Sequence, residues 1–171
     1  MKQRLTRAGL LLLTVALLFS FHSCQKPAAR YFAYLDAPFC ATLSGKLDGL
    51  CFAATLESEG RNTVGVMPAC TLTFTAPASL AGVKVQFYPE TGWKAFLGDL
   101  EGPTDGEGLG QIACLLMTER AVTAHRREAG SVILSLDGGT ELTLNEKTGR
   151  PVRVMYAKDG RAIEVAVVGW E

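Results

Sequence analysis

The side chains that could do chemistry are few and scattered. His125 is the only histidine after residue 23, and it sits in the charged stretch "AHRRE" with no serine, cysteine and acid grouped around it. Nothing there supports a nucleophile–base pair. The cysteines Cys40, Cys51, Cys70 and Cys114 stand singly, without the short Cys/His spacings of a zinc site. Asp99, Glu101, Asp105 and Glu107 crowd one segment, but their spacing fits no calcium loop. "GEGLGQ" (106–111) lacks the third glycine and the βαβ setting of a phosphate cradle, so it reads as a flexible entry to a helix. The chain therefore predicts no catalytic residue set, no cofactor and no metal.

The first residues carry a different chemistry. Lys2, Arg4 and Arg7 precede a 14-residue apolar run, Ala8–Phe21. A bilayer span needs about 20 such residues, so the run is too short to cross and matches an export signal. The segment ends at Phe21-His22-Ser23-Cys24. A small residue directly before a cysteine resembles a bacterial lipobox, in which the cysteine is acylated and becomes the new N-terminus. The alternative is ordinary signal-peptidase cleavage, after one of the alanines in "KPAA". Without residues 1–23 the chain holds 14 Lys and Arg against 17 Asp and Glu. A mildly acidic body with no basic cluster excludes nucleic acid as a partner, because phosphate binding needs a concentrated positive face.

The elements that must position these residues show period-two alternation almost throughout. Phe39, Ala41 and Leu43 alternate with polar or small neighbours, and the Asp48-Gly49 hairpin turn leads into Phe52, Ala54 and Leu56. A long strand carries Val64, Val66, Cys70, Leu72 and Phe74. Further strands carry Val83–Phe87, "WKAFLGDL", "VTAHRRE", "SVILSL", Leu142–Leu144, Val152–Tyr156 and Ile163–Val167. Leu109, Ile112, Ala113, Leu116 and Met117 recur at helical spacing, predicting a helix over about 107–119 with Thr104 or Asp105 as its cap. "RYFAYLDAP" reads as one or two helical turns. With a turn at Asp48-Gly49, Cys51 faces Lys46, and Cys40 faces Glu57, six residues from Cys51 and beyond disulfide reach. Cys70 lies in phase with Leu72 on the apolar face, opposite to Cys51, so no disulfide is expected.

The order of these elements, with "TFTAPASLAGV" and above all "TELTLNEKTGRPVRV", is similar to the lipoprotein-localisation superfamily of LolA and LolB carriers, RseB-type sensors and LppX-type lipoproteins. Leu142, Leu144, Asn145, Thr148, Gly149, Pro151 and Val154 match its strand–turn–strand pattern. The resemblance implies an α+β, mainly antiparallel fold. It would be a curled, unclosed half-barrel of about ten strands with the helix on its concave face. It also implies a hydrophobic pocket lined by Phe52, Leu56, Leu72, Phe74, Val85, Phe87, Ile112, Leu116, Leu142, Leu144, Val154 and Val165, although the same residues could simply pack on one another. The expected organisation is a lipoprotein signal peptide over 1–23, acylated Cys24 with tether and short helix over 24–38, and the β-rich domain over 39–171. The expected function is a non-catalytic lipoprotein, exported and lipid-anchored outside a bacterial membrane, that binds lipid or another hydrophobic ligand. The alternative is an envelope sensor or scaffold that binds a protein partner. Labelled palmitate should enter the wild-type protein and be lost on Cys24→Ala; equal labelling of both would remove the anchor.

Overall fold

A computed structural model of the chain describes residues 28–171. The signal segment and Cys24 lie outside the described residues. The alternation seen in the sequence becomes eleven antiparallel strands in one sheet, ordered β6-β5-β4-β3-β2-β1-β11-β10-β9-β8-β7. The strands are β1 Phe39–Leu47, β2 Leu50–Ser58, β3 Cys70–Ala76, β4 Val83–Tyr88, β5 Gly92–Leu97, β6 Leu100–Pro103, β7 Val122–Glu128, β8 Ser131–Leu136, β9 Thr140–Asn145, β10 Pro151–Lys158 and β11 Arg161–Trp170. β6 and β7 are the free edges, so the sheet does not close into a barrel. Each edge is blunted against further pairing, β6 by its brevity and Pro103, β7 by exposed Arg126, Arg127 and Glu128.

Sequence neighbours pair antiparallel except β6 and β7, which lie at opposite edges, and the centre joins β1 to β11. That junction brings the two ends of the domain together: Cys40 and Glu171 exchange both backbone hydrogen bonds. The Asp48 carboxylate at the β1–β2 turn accepts a bond from the Ala162 amide at 2.9 Å, tying the other end of the junction. Gly45 sits inside it. A Cβ there would collide with the Glu164 carbonyl and lie 3.0 Å from the Phe52 ring.

Alternate residues of nearly every strand point to one face, and that face is covered by two short pieces. One is a 3-10 helix, Ala28–Leu35, whose Phe32 and Leu35 are buried. The other is α1, Gly110–Met117. α1 touches both β3 and β10, which are four strand positions apart. Four spacings of a flat sheet would be about 19 Å, wider than a helix of about 10–12 Å diameter. The sheet must curl around the helix, which places α1 on the concave side.

Three local expectations change. β3 begins at Cys70, not near Val64: Pro68 has no amide for a ladder, and Val64 and Val66 are exposed in the preceding loop. "WKAFLGDL" folds back on itself at Gly98-Asp99, which creates β6 and makes eleven strands instead of ten. α1 is shorter than 107–119 and starts without Thr104 or Asp105 as its cap, because Gly108 just before it takes a left-handed φ of 62°. Asp105 instead accepts a bond from the Glu107 amide at 3.0 Å, within the loop. Gly45→Val should lower stability in urea by about 3 kcal/mol, the upper range for inserting atoms into a packed site; an unchanged midpoint would show that the β1–β11 junction can give way.

Candidate functional site

The candidate site is the space between the concave face and its cover. Eleven of the twelve predicted lining residues enter one buried cluster, and Phe87 packs against it partly exposed. The sheet supplies Phe52, Leu56, Leu72, Phe74, Val85, Leu142, Leu144, Val154 and Val165, and α1 supplies Ile112 and Leu116. A side chain lining even a water-sized void would present area to it, yet none of the eleven exceeds 5 % exposure. They pack on each other and on Phe32, Leu35, Ala113, Leu115 and Met117. Around these eleven side chains the interior is filled. Among the described residues, clefts of about 120–380 Å³ open at the surface, and Leu144 is the one lining candidate that borders any of these.

The cover is held by polar contacts that the sequence did not reveal. Arg61, in the loop after β2, has a side chain only 4 % exposed. Its Nε pairs with Asp36, just past the 3-10 helix, and its Nη1 donates to Glu119 at 2.8 Å, just past α1. Its backbone amide donates to the Leu35 carbonyl at 2.7 Å. One guanidinium thus clamps the ends of both cover pieces to the sheet, and the two carboxylates hold its pKa up. Between the pieces, the Tyr34 hydroxyl donates to the Leu116 carbonyl at 2.7 Å, and burial pushes its pKa up. The cue missed in the sequence was the pairing of a lone Arg61 with acids 25 residues before and 58 after it. Such separations carry no local pattern.

The chemistry-bearing residues are dispersed. His125 lies on exposed β7, 6.0 Å from the Tyr31 ring. Glu101 pairs with Lys94 at 2.7 Å, while Asp105 is engaged in its own loop. Among the described residues no three His, Cys, Asp or Glu side chains are grouped to hold a metal ion, and no helix is long and apolar enough to cross a membrane. Of the glycines of "GEGLGQ", Gly106 and Gly110 serve packing against Trp93. A Cβ on Gly106 would sit 2.9 Å from the Trp93 indole nitrogen and 3.2 Å from the Cys114 sulfur. Cys51 faces Lys46 and Cys40 faces Glu57, in the register expected from the turn, and all four described cysteines are free thiols. Burial pushes the Cys70 thiol up to about 12 and the Cys114 thiol up to about 11, which keeps both protonated and unreactive at neutral pH.

No family sequence model and no curated protein sequence matches the chain. Solved structures do. An uncharacterised conserved protein from Thermus thermophilus superposes with a TM-score of 0.52 at 15 % identity, covering 84 % of each chain. MucB superposes at 0.50 and 15 % identity, covering 84 % of this chain but 57 % of MucB, so the chain spans little more than half of that protein. A putative outer membrane lipoprotein-sorting protein domain from Vibrio parahaemolyticus gives 0.48 at 11 % identity, covering 84 % and 90 %.

Arg61→Met should lower stability by about 2–3 kcal/mol, below the range for a fully buried pair because Asp36 is half exposed. Thermal unfolding checks this; a loss under about 0.5 kcal/mol would show that the clamp is idle. A single open antiparallel sheet, curled around a short covering helix and matched over most of its length by the Thermus thermophilus protein and by MucB, gives the chain the fold of those two structures.

Proposed function

We propose that the chain is a non-catalytic lipoprotein, tethered through Cys24 to the outer side of a bacterial membrane, that acts as a sensor or scaffold by binding a protein partner on its surface. The observation that supports this over lipid carriage is the filled interior. To admit an acyl chain, α1 would have to leave and expose Ile112, Ala113, Leu115, Leu116 and Met117, now at most 2 % exposed. At about 1.5–3 kcal/mol for each large side chain, that costs on the order of 8–10 kcal/mol. A 16-carbon chain taken from water returns about 12 kcal/mol at ~0.8 per CH₂. Taken from a bilayer it returns almost nothing, because lipid tails are as apolar as leucine. The domain therefore has no drive to extract lipid from the membrane that holds it.

The outer surface has what a partner needs. The hairpin tips away from the 3-10 helix present Leu50, Leu97 and Leu100, exposed by 46 %, 56 % and 73 %. Hydrophobic-ligand binding is the second reading, favoured by the continuous apolar face that the cover hides. It would apply to a ligand delivered from water or from another carrier.

Native mass spectrometry of the protein purified from its own envelope separates the two. The proposal expects a ligand-free mass together with one protein retained at fixed stoichiometry, and lost on Leu97→Lys with Leu100→Lys. A stoichiometric lipid on the isolated domain would overturn it in favour of the second reading.

A further inference from the structure

The sheet rim beside the 3-10 helix carries a cleft that the Arg61 clamp does not use. It measures about 280 Å³ and is walled by Tyr34, Phe39 and Trp170, with Arg30 and Arg150 at its mouth and Glu171 as its one acid. The wall is made of rings packed on one another. Phe39 and Trp170 stack at 4.3 Å, and Tyr34 meets Trp170 edge-on at 6.0 Å. The Arg150 guanidinium lies 5.5 Å over the Trp170 ring, and that of Arg30 lies 5.3 Å over Tyr31. Among the described residues neither arginine has a carboxylate within ion-pair distance. By contrast Arg127, in the adjoining smaller cleft, is paired with Glu146 at 3.4 Å. One unpaired guanidinium over the aromatic wall, with a second lining the same cleft from its place over Tyr31, fits a ligand with an anionic head and an apolar body.

The position says which ligand. Arg30 follows Cys24 by six residues, a reach of at most about 20 Å even when fully extended. An acylated Cys24 would hold this rim within that distance of the bilayer, where Trp and Tyr favour the interface and arginines meet lipid phosphates. We propose that this cleft seats the headgroup of an anionic membrane lipid, so that the domain lies against its membrane in one orientation. The inference rests on the Cys24 anchor proposed above. The rest of the same rim fixes the tilt. Glu57, Glu59 and Glu90 line the clefts beside β2, β3 and β4, and an anionic surface repels them. The β9–β11 side turns down and the β2–β4 side lifts away.

The chain has two tryptophans, so Trp93→Phe leaves Trp170 as the reporter. The acylated protein is reconstituted on phosphatidylcholine vesicles, with or without phosphatidylglycerol, containing a headgroup spin-labelled lipid. The expected result is at least about twofold stronger Trp170 quenching on the anionic vesicles. It should fall to the neutral level in Arg30→Gln/Arg150→Gln and survive in Arg30→Lys/Arg150→Lys. Flotation with neutral vesicles reports the anchor separately. Flotation with quenching that is the same on both vesicles and in all variants overturns the cleft while the anchor stands. Flotation and quenching confined to anionic vesicles remove the anchor and keep the cleft. If inorganic phosphate alone shifts Trp170 emission and anionic vesicles do not quench it, the cleft takes a soluble anion and the lipid assignment is overturned.

Discussion

An open sheet with one apolar face cannot leave that face in water, and everything else in this domain follows from the need to cover it. Strands from β2 to β10 turn Leu, Val and Phe to the same side. At about 25 cal/mol per Å², exposing that side would exceed the stability of any small domain. Two short pieces, eight residues each, do the covering. They suffice because the sheet curls around α1, so one helix reaches both β3 and β10. Neither piece would be a stable helix alone at that length. Packing and the Arg61 clamp make them so.

The sheet was legible in the sequence because period two is a strong local signal. The apolar phase at Phe39-Ala41-Leu43, the Asp48-Gly49 turn and the resulting Cys51–Lys46 pairing all follow from adjacent residues. So does the short helix of the cover, through the spacing of Ile112, Ala113, Leu116 and Met117. Boundaries were less legible where proline or glycine overruled the pattern: Pro68 delays β3, Gly98 splits off β6, and Gly108 delays α1. The twelve lining candidates share a face as expected, but alternation reports which face a residue joins, not whether space remains in front of it. That depends on what the cover brings, and Phe32, Leu35, Leu115 and Met117 bring enough to fill it.

Least legible were the contacts that join distant segments. Arg61 looks like a loop charge until Asp36 and Glu119 are placed beside it. The junction of β1 with β11 requires Gly45 for its close backbone approach, although a glycine by itself weakens a strand interior. Both are long-range, and both set how firmly the interior is shut. The functional reading depends on that firmness. A filled, clamped interior leaves the outer surface to do the binding; a loose cover would point inward to a ligand.

Native-state hydrogen exchange of the α1 amides tests this most directly. A cover that is part of the core should open with the same free energy as the amides of central β1 and β11, because all would be released only by global unfolding. If α1 instead exchanged at a free energy several kcal/mol below the central strands, the cover would be a lid that opens on its own, and the closed-interior account would be contradicted.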